Sequence, residues 1–215
     1  METENILRAA YLLFTICTIA PGFQKETNPA DFAREKDIYA IYSLMLSNPN
    51  TSHGPYQSER YLIAKTTVPG VPEQPCVAPP KERAAEFRDV LADYERRKAT
   101  MRELKPALSI AKPYVLLDAN EVREFMEERS LAGPGKIVPN PQFQGVMDLF
   151  RLSDVYFNRR GTLALTAISA FCGGLCGFHQ WKVFEKRATG KWEELRWDAC
   201  YTIAGISGPP GLRKR

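Results

Sequence analysis

Two cysteines set four apart among glycines are the most chemically pointed feature of this 215-residue sequence: Phe171-Cys-Gly-Gly-Leu-Cys-Gly177, with His179 just beyond. Thiols and an imidazole in this arrangement support three chemistries. Cys172 and Cys176, with Cys76 and Cys200, can form disulfides, and four cysteines allow three connectivities. Cys172, Cys176, His179 and Cys200 can supply sulfur and nitrogen ligands to zinc, because a C-x3-C-x2-H spacing is sterically accessible. A thiolate at Cys172 or Cys176 can act as a nucleophile with His179 as its base. The nucleophile reading lacks a third group to orient the histidine. The zinc reading depends on Cys200, which belongs to a different strand. The disulfide reading therefore leads, with a small covalent loop bracing the bend.

Trp181, Trp192 and Trp197 fall on neighbouring strands and are candidates for stacking a glycan or peptide. The plainer reading makes them core and cross-strand pairs. His53, in a polar loop, reads as a solvated surface residue. The chain has no G-x-S-x-G, H-E-x-x-H, G-x-x-x-x-G-K-[ST] or G-x-G-x-x-G pattern, and its two histidines exclude a His-rich metal site. No cofactor is expected. A net charge of +4, dispersed except for Arg213-Lys-Arg215, is not a nucleic-acid footprint. Asp and Glu are plentiful, yet no pair stands out from solvated helix faces.

The elements that must position the bend follow from periodicity. Asn28-Pro29 reads as a cap and first turn, and Ile38, Ile41, Tyr42 and Met45 continue a helix to Leu46. Arg60 to Thr67 reads as a strand, and Val68 to Pro80 as a proline-rich loop carrying Cys76. Lys81 to Lys98 is the clearest helix, with Phe87, Val90, Leu91 and Tyr94 on one face and Glu95-Arg-Arg-Lys98 as a solvated flank. Ala111 to Leu117 is a second strand. Asp118 with Glu121 makes a capping-box start for the next helix. Leu131 to Gln144 is a loop. Leu152 to Asn158 alternates as a strand, and Asn158-Arg-Arg-Gly161 is a turn with a positive φ at Gly161. Thr162 to Phe171, apolar on both faces, reads as a central strand. Gln180 to Lys186 and Lys191 to Ala204 complete the strands.

At the N-terminus the twelve-residue apolar run Ala9–Ala20 is too short to span a bilayer, which takes about 20 residues. It fits the apolar region of a secretory signal peptide, although the preceding METENILR is short of positive charge. Removal of residues 1–22 would take Cys17 with it and leave four cysteines, an even number suited to an oxidising compartment.

Several stretches carry a resemblance: Asp37-Ile-Tyr-Ala-Ile-Tyr-Ser43, Ile63-Ala-Lys-Thr-Thr67, Tyr114-Val-Leu-Leu117, Leu152-Ser-Asp-Val-Tyr-Phe-Asn158, Thr162-Leu-Ala-Leu165, Cys172 to Gly177, Trp181-Lys-Val-Phe-Glu-Lys186 and Gly190-Lys-Trp192. In this order they resemble a group of uncharacterised exported bacterial proteins with a strand, a CGxLCG-type bend and an "EK…GKW" hairpin. The resemblance spans roughly residues 37–204 and implies export but no activity. It also implies that the bend, more than its thiols, is the shared feature.

The expected protein is therefore α+β. An antiparallel meander of about five or six strands is packed on one side by helices. Residues 1–22 are a signal peptide, 23–36 a linker and helix start, 37–204 one domain and 205–215 a tail. The expected role is a binding or structural protein of the cell envelope, periplasmic or extracellular, with a protein or glycan as ligand and no membrane-spanning helix. The alternative is a small thiol- or zinc-dependent enzyme using Cys172, Cys176 and His179.

Overall fold

Helix α1 (Pro29–Ser47) opens on a proline, whose fixed φ and missing N–H suit the first helical position. In the computed structural model, residues 29–47, 58–69, 75–130, 140–173, 176–199 and 201–203 are described. The expected signal peptide, the loop with His53, Cys200 and the tail lie outside the described residues. Ile38, Ile41, Tyr42, Met45 and Leu46 of α1 are all buried, as their spacing requires. Strand β1 (Tyr61–Ala64) and the short β2 (Val77–Ala78) follow. A 3-10 turn at Lys81–Arg83 leads into α2 (Ala84–Arg97), which buries Phe87, Val90 and Tyr94. Next come β3 (Tyr114–Leu117) and α3 (Ala119–Ser130). The capping box at the start of α3 forms as expected: Asn120 and Glu121 N–H donate to Asp118 Oδ1 at 2.8 and 3.0 Å, and Asp118 N–H donates to Glu121 Oε2 at 2.8 Å.

The remaining strands are β4 (Leu149–Leu152), β5 (Tyr156–Phe157), β6 (Leu163–Gly173), β7 (Cys176–Lys186), β8 (Trp192–Leu195), β9 (Asp198–Ala199) and β10 (Tyr201–Ile203). Among the described residues, eight strands make one sheet in the order β10-β7-β6-β4-β1-β3, with β5 on β6 and β8 on β7. The β6–β7–β8 meander is antiparallel. The other half of the sheet differs: β1 runs parallel to both β3 and β4. Each of these parallel pairs needs a long crossover, and α2 and α3 lie in the connections that supply it.

The expectation that the helices cover one side is corrected, because both faces are covered. Ile63, Phe150, Leu152, Ile168, Ala170, Phe178 and Phe184 pack against α1. On the opposite face, Leu163, Leu165, Ala167, Trp181 and Val183 meet α2, while Leu62, Leu117 and Leu149 meet Phe125 of α3. The physical reason lies in β6, whose side chains are apolar on both faces, so each face needs a cover. Each large side chain buried this way contributes about 1.5–3 kcal/mol.

The run from Lys191 to Ala204 also departs from expectation. It divides into three strands instead of one. β8 docks on Val183–Lys186 of β7, the chain leaves to pair β9 with β2, and β10 returns to Phe178–Gln180 of the same strand. No helix among the described residues is long and apolar enough to cross a membrane.

Candidate functional site

Polar groups converge where the sheet is interrupted. Leu152 pairs with Ile168 and Tyr156 with Leu165, so three residues of one strand face two of β6. This is a bulge at Ser153–Val155. Ser153 holds it in place: its N–H donates to Ala167 O at 3.0 Å and its Oγ accepts from Ala167 N–H at 2.8 Å. Tyr42 of α1 donates its hydroxyl to Ser153 O at 2.8 Å. The extra residue places Asp154, whose side chain is fully buried, among arginines.

Two aspartates and three arginines form a chain. Arg34 of α1 donates to Asp93 Oδ2 at 3.0 Å, and Arg97 donates to the same oxygen at 2.8 Å. Arg97 also reaches Asp154, which accepts from Arg102 Nε at 3.1 Å. Arg96 binds Asp93 from the solvent side. The Asp93 carboxylate further accepts the N–H of Phe157 at 2.9 Å, satisfying the free edge of β5. Burial alone would raise the Asp93 carboxyl, but the Phe157 N–H, Arg97, Arg34 and Arg96 outweigh it and hold it below the usual carboxylate range. Burial works against charge on Arg102 too, yet Asp154 lifts its pKa. Arg34 is lowered by burial and by repulsion from Arg97.

Aromatic rings fix these guanidiniums. Arg34 lies over Phe157 at 5.1 Å and Arg97 over Tyr156 at 5.8 Å. The Tyr156 hydroxyl is buried with no hydrogen-bond partner among the described residues. Burial and the nearby Asp154 push its pKa up.

This network was not identified from the sequence. The spacing of Asp93, Arg96 and Arg97 along α2 was visible, but the run Glu95–Lys98 reads as a solvated flank. That expectation is corrected for Arg97, whose side chain is 18% exposed. It lies on the side of α2 that meets the bulge, which periodicity alone does not distinguish from a solvated side.

The bend lies at the far end of β6 from this network. Phe171 pairs with Gly177 and Gly173 with Cys176, with a register shift between Phe171 and Gly173. Strand β7 therefore begins at Cys176, earlier than expected. Gly173 has φ +126°, and a Cβ there would meet the Arg129 carbonyl of α3 at 3.5 Å. A side chain would be strained at this position whatever the space around it. Cys172 is half-buried and His179 lies edge-on to Trp181 at 5.8 Å. Neither Cys76, Cys172 nor His179 is without a partner. Among the described residues no three His, Cys, Asp or Glu side chains group as metal ligands. Two of the candidate zinc ligands, Cys176 and Cys200, are outside the described side chains.

The three tryptophans do not share a surface, which corrects their reading as a ligand-stacking platform. Trp181 is buried against α2. Trp192 is buried on the opposite face and donates its indole N–H to Asp37 Oδ1 of α1 at 2.9 Å. Trp197 is half-buried between Phe87 and Arg83. Trp181 and Trp197 both pack on α2 and the turn that leads into it, while Trp192 serves α1, because alternation along β7 and the crossing to β8 send Trp181 and Trp192 to opposite faces.

A cleft of about 650 Å³ opens between α1 and the segment 105–109. Its walls are mainly apolar and include Ala40, Leu44 and Ala107, while Glu35, Lys36 and Lys105 carry charge beside them. Lys105 Nζ binds Glu35 Oε1 at 2.6 Å. Leu44 is 40% exposed, whereas Ile38, Ile41, Tyr42, Met45 and Leu46 of the same helix are buried. Comparison with known proteins gives no match: no family model, no curated protein and no solved structure matches this chain.

Proposed function

We propose that the chain is an exported, disulfide-braced binding module of the cell envelope, and that its ligand occupies the cleft between α1 and segment 105–109. The cleft is the observation that carries this reading. It is concave, mainly apolar and edged by a few charged groups, which is the usual make-up of a small-ligand site. The hydroxyls of Tyr39 and Ser43 in its wall are already bonded to the backbone of segment 105–109. Tyr39 Oη accepts the Lys105 N–H at 2.6 Å, and Ser43 Oγ accepts the Ser109 N–H at 2.8 Å. What it offers a ligand is therefore apolar surface around Leu44.

Export draws support from the apolar run Ala9–Ala20 and from the pairing of β2 with β9. Val77 faces Ala199 and Ala78 faces Asp198, so the segment that carries Cys76 lies beside the strand that Cys200 follows in sequence, and we take these two cysteines as the partners of one bridge. Cys172 and Cys176 would then close the bend between them. A Cys76–Cys200 bridge would close a very long loop, for which chain entropy gives about 5 kcal/mol.

Two measurements test the reading. Thiol alkylation and mass spectrometry on protein recovered from its native compartment should find Cys76 linked to Cys200, Cys172 linked to Cys176 and residues 1–22 removed. Five alkylated thiols on an uncleaved chain would overturn export. An environment-sensitive naphthalene probe should bind the protein and lose its signal in Leu44→Glu. Equal binding by that variant would remove the cleft as the site.

A further inference from the structure

We infer that Arg34 and Arg102 form the receptor for one oxyanion, phosphate or carboxylate, carried by the ligand of the neighbouring cleft. The first argument is charge balance. Four guanidiniums, from Arg34, Arg96, Arg97 and Arg102, surround two carboxylates, from Asp93 and Asp154. Arg97, the most buried of the four, is consumed by the fold: it bonds both aspartates and the carbonyl of Val155. Arg34 and Arg102 are not. Each is bound to a carboxylate through a single nitrogen, and their side chains are 42% and 30% exposed. Each guanidinium keeps further N–H donors in a rigid fork, the geometry that carboxylates and phosphates accept in pairs.

The second argument is preorganisation. Asp93 and the Phe157 ring hold Arg34, and Asp154 holds Arg102. An arriving anion does not have to order two long side chains first. Burial and, after it, repulsion from Arg97 lower Arg34, and a bound negative group would offset both. The other carboxylate near Arg102 is Glu35, and Lys105 already engages it.

The third argument is position. Glu35 and Lys105 line the cleft and lie within electrostatic reach of Arg102. An anionic head at the arginines would leave its tail at the mouth of an apolar cleft. The arginine site stands on its own geometry, while the tail rests on the reading of the cleft given above.

The test uses the full chain and thermal unfolding in sodium phosphate against sodium chloride at matched ionic strength. The melting temperature should rise further in phosphate, and Arg34→Gln/Arg102→Gln should lose that difference. The same rise in wild type and double variant would mean an adventitious ion only and overturn the inference. If the double variant does not melt cooperatively, Arg34→Gln alone suffices, since Asp93 keeps Arg96 and Arg97. It should weaken phosphate binding about tenfold, the cost of a charge-assisted hydrogen bond, and unchanged affinity would sink the site. Octyl phosphate and octanol, competing for the naphthalene probe, separate the two readings. Octyl phosphate should compete at lower concentration than octanol. If octanol competes as well, the cleft stands and the oxyanion site falls. If phosphate stabilises the protein but the octyl chain adds nothing, the arginine site stands and the cleft reading falls. Sedimentation with phosphatidylglycerol vesicles but not phosphatidylcholine would assign the oxyanion to a lipid headgroup. Phosphate binding without sedimentation would assign it to a soluble ligand.

Discussion

The two ends of the β6–β7 hairpin are a study in contrast. At one end stands the glycine-cysteine bend, conspicuous in sequence and simple in structure: a register shift, a glycine at φ +126° and a cysteine beside it. At the other end stands the Asp93–Arg97–Asp154 network, which joins α1, α2 and the bulge beside β5 through charges buried between them. A residue type can be rare without being busy, and common charged residues can carry most of the local electrostatics. What decides is burial. A charge withdrawn from water has to be matched by partners, so the residues around it are held in place.

The contrast makes an ordered set of expectations. The largest effect belongs to Asp154→Ala. Removing a fully buried carboxylate leaves Arg97 and Arg102 without their partner, which should cost about 3–5 kcal/mol of unfolding free energy. Replacing both bend cysteines, Cys172→Ser/Cys176→Ser, should cost less, about 2 kcal/mol, because the loop between them is short. That variant should keep any binding activity. Denaturant titration of both proteins checks the ranking, and a reversed order would break the comparison. A folded, equally stable cysteine variant with lost binding would move the function to the bend.

The smallest expected effect is on the acid side. The Asp93 carboxyl is held below its ordinary range in the folded protein, so its contribution is complete above the unfolded value and declines as pH drops through the folded one. Wild-type stability should therefore fall below about pH 4, where unfolded carboxyls begin to take up protons. The part due to Asp93 is a slope of under about 1.4 kcal/mol per pH unit. Asp93→Asn should show a flatter acid limb than the wild type when unfolding is followed between mildly acidic and strongly acidic buffers. An identical slope would show that the network does not bind protons differently on unfolding.

Much of the fold could be read from local pattern. α1, α2 and the central β6 follow from the periods of their apolar residues, and the α3 start follows from Asp118 and Glu121 three positions apart. These signals are local, and local geometry suffices to produce them. The parallel pairing of β1 with β3 and β4 could not be read, because register between distant strands depends on cores not yet assembled. The division of Lys191–Ala204 into three strands escaped for a similar reason: β9 answers to β2, more than a hundred residues earlier. Asp154 carried no signal either. In an alternating run it takes a polar position like any other, and only the bulge turns it inward.

The way β8 and β10 share one edge of β7 has a consequence for solubility. A long uninterrupted edge is a template on which another chain can add a strand. Here that edge is divided between two short strands, β10 on Phe178–Gln180 and β8 on Val183–Lys186. Lys182 is buried there and bonded to Glu194 of β8 at 2.9 and 3.0 Å. A strand arriving from a second molecule would find this edge of β7 already taken by two strands and a charge already committed. The detour that carries the chain out to β2 thus also keeps the longest hairpin of the protein from growing into an aggregate.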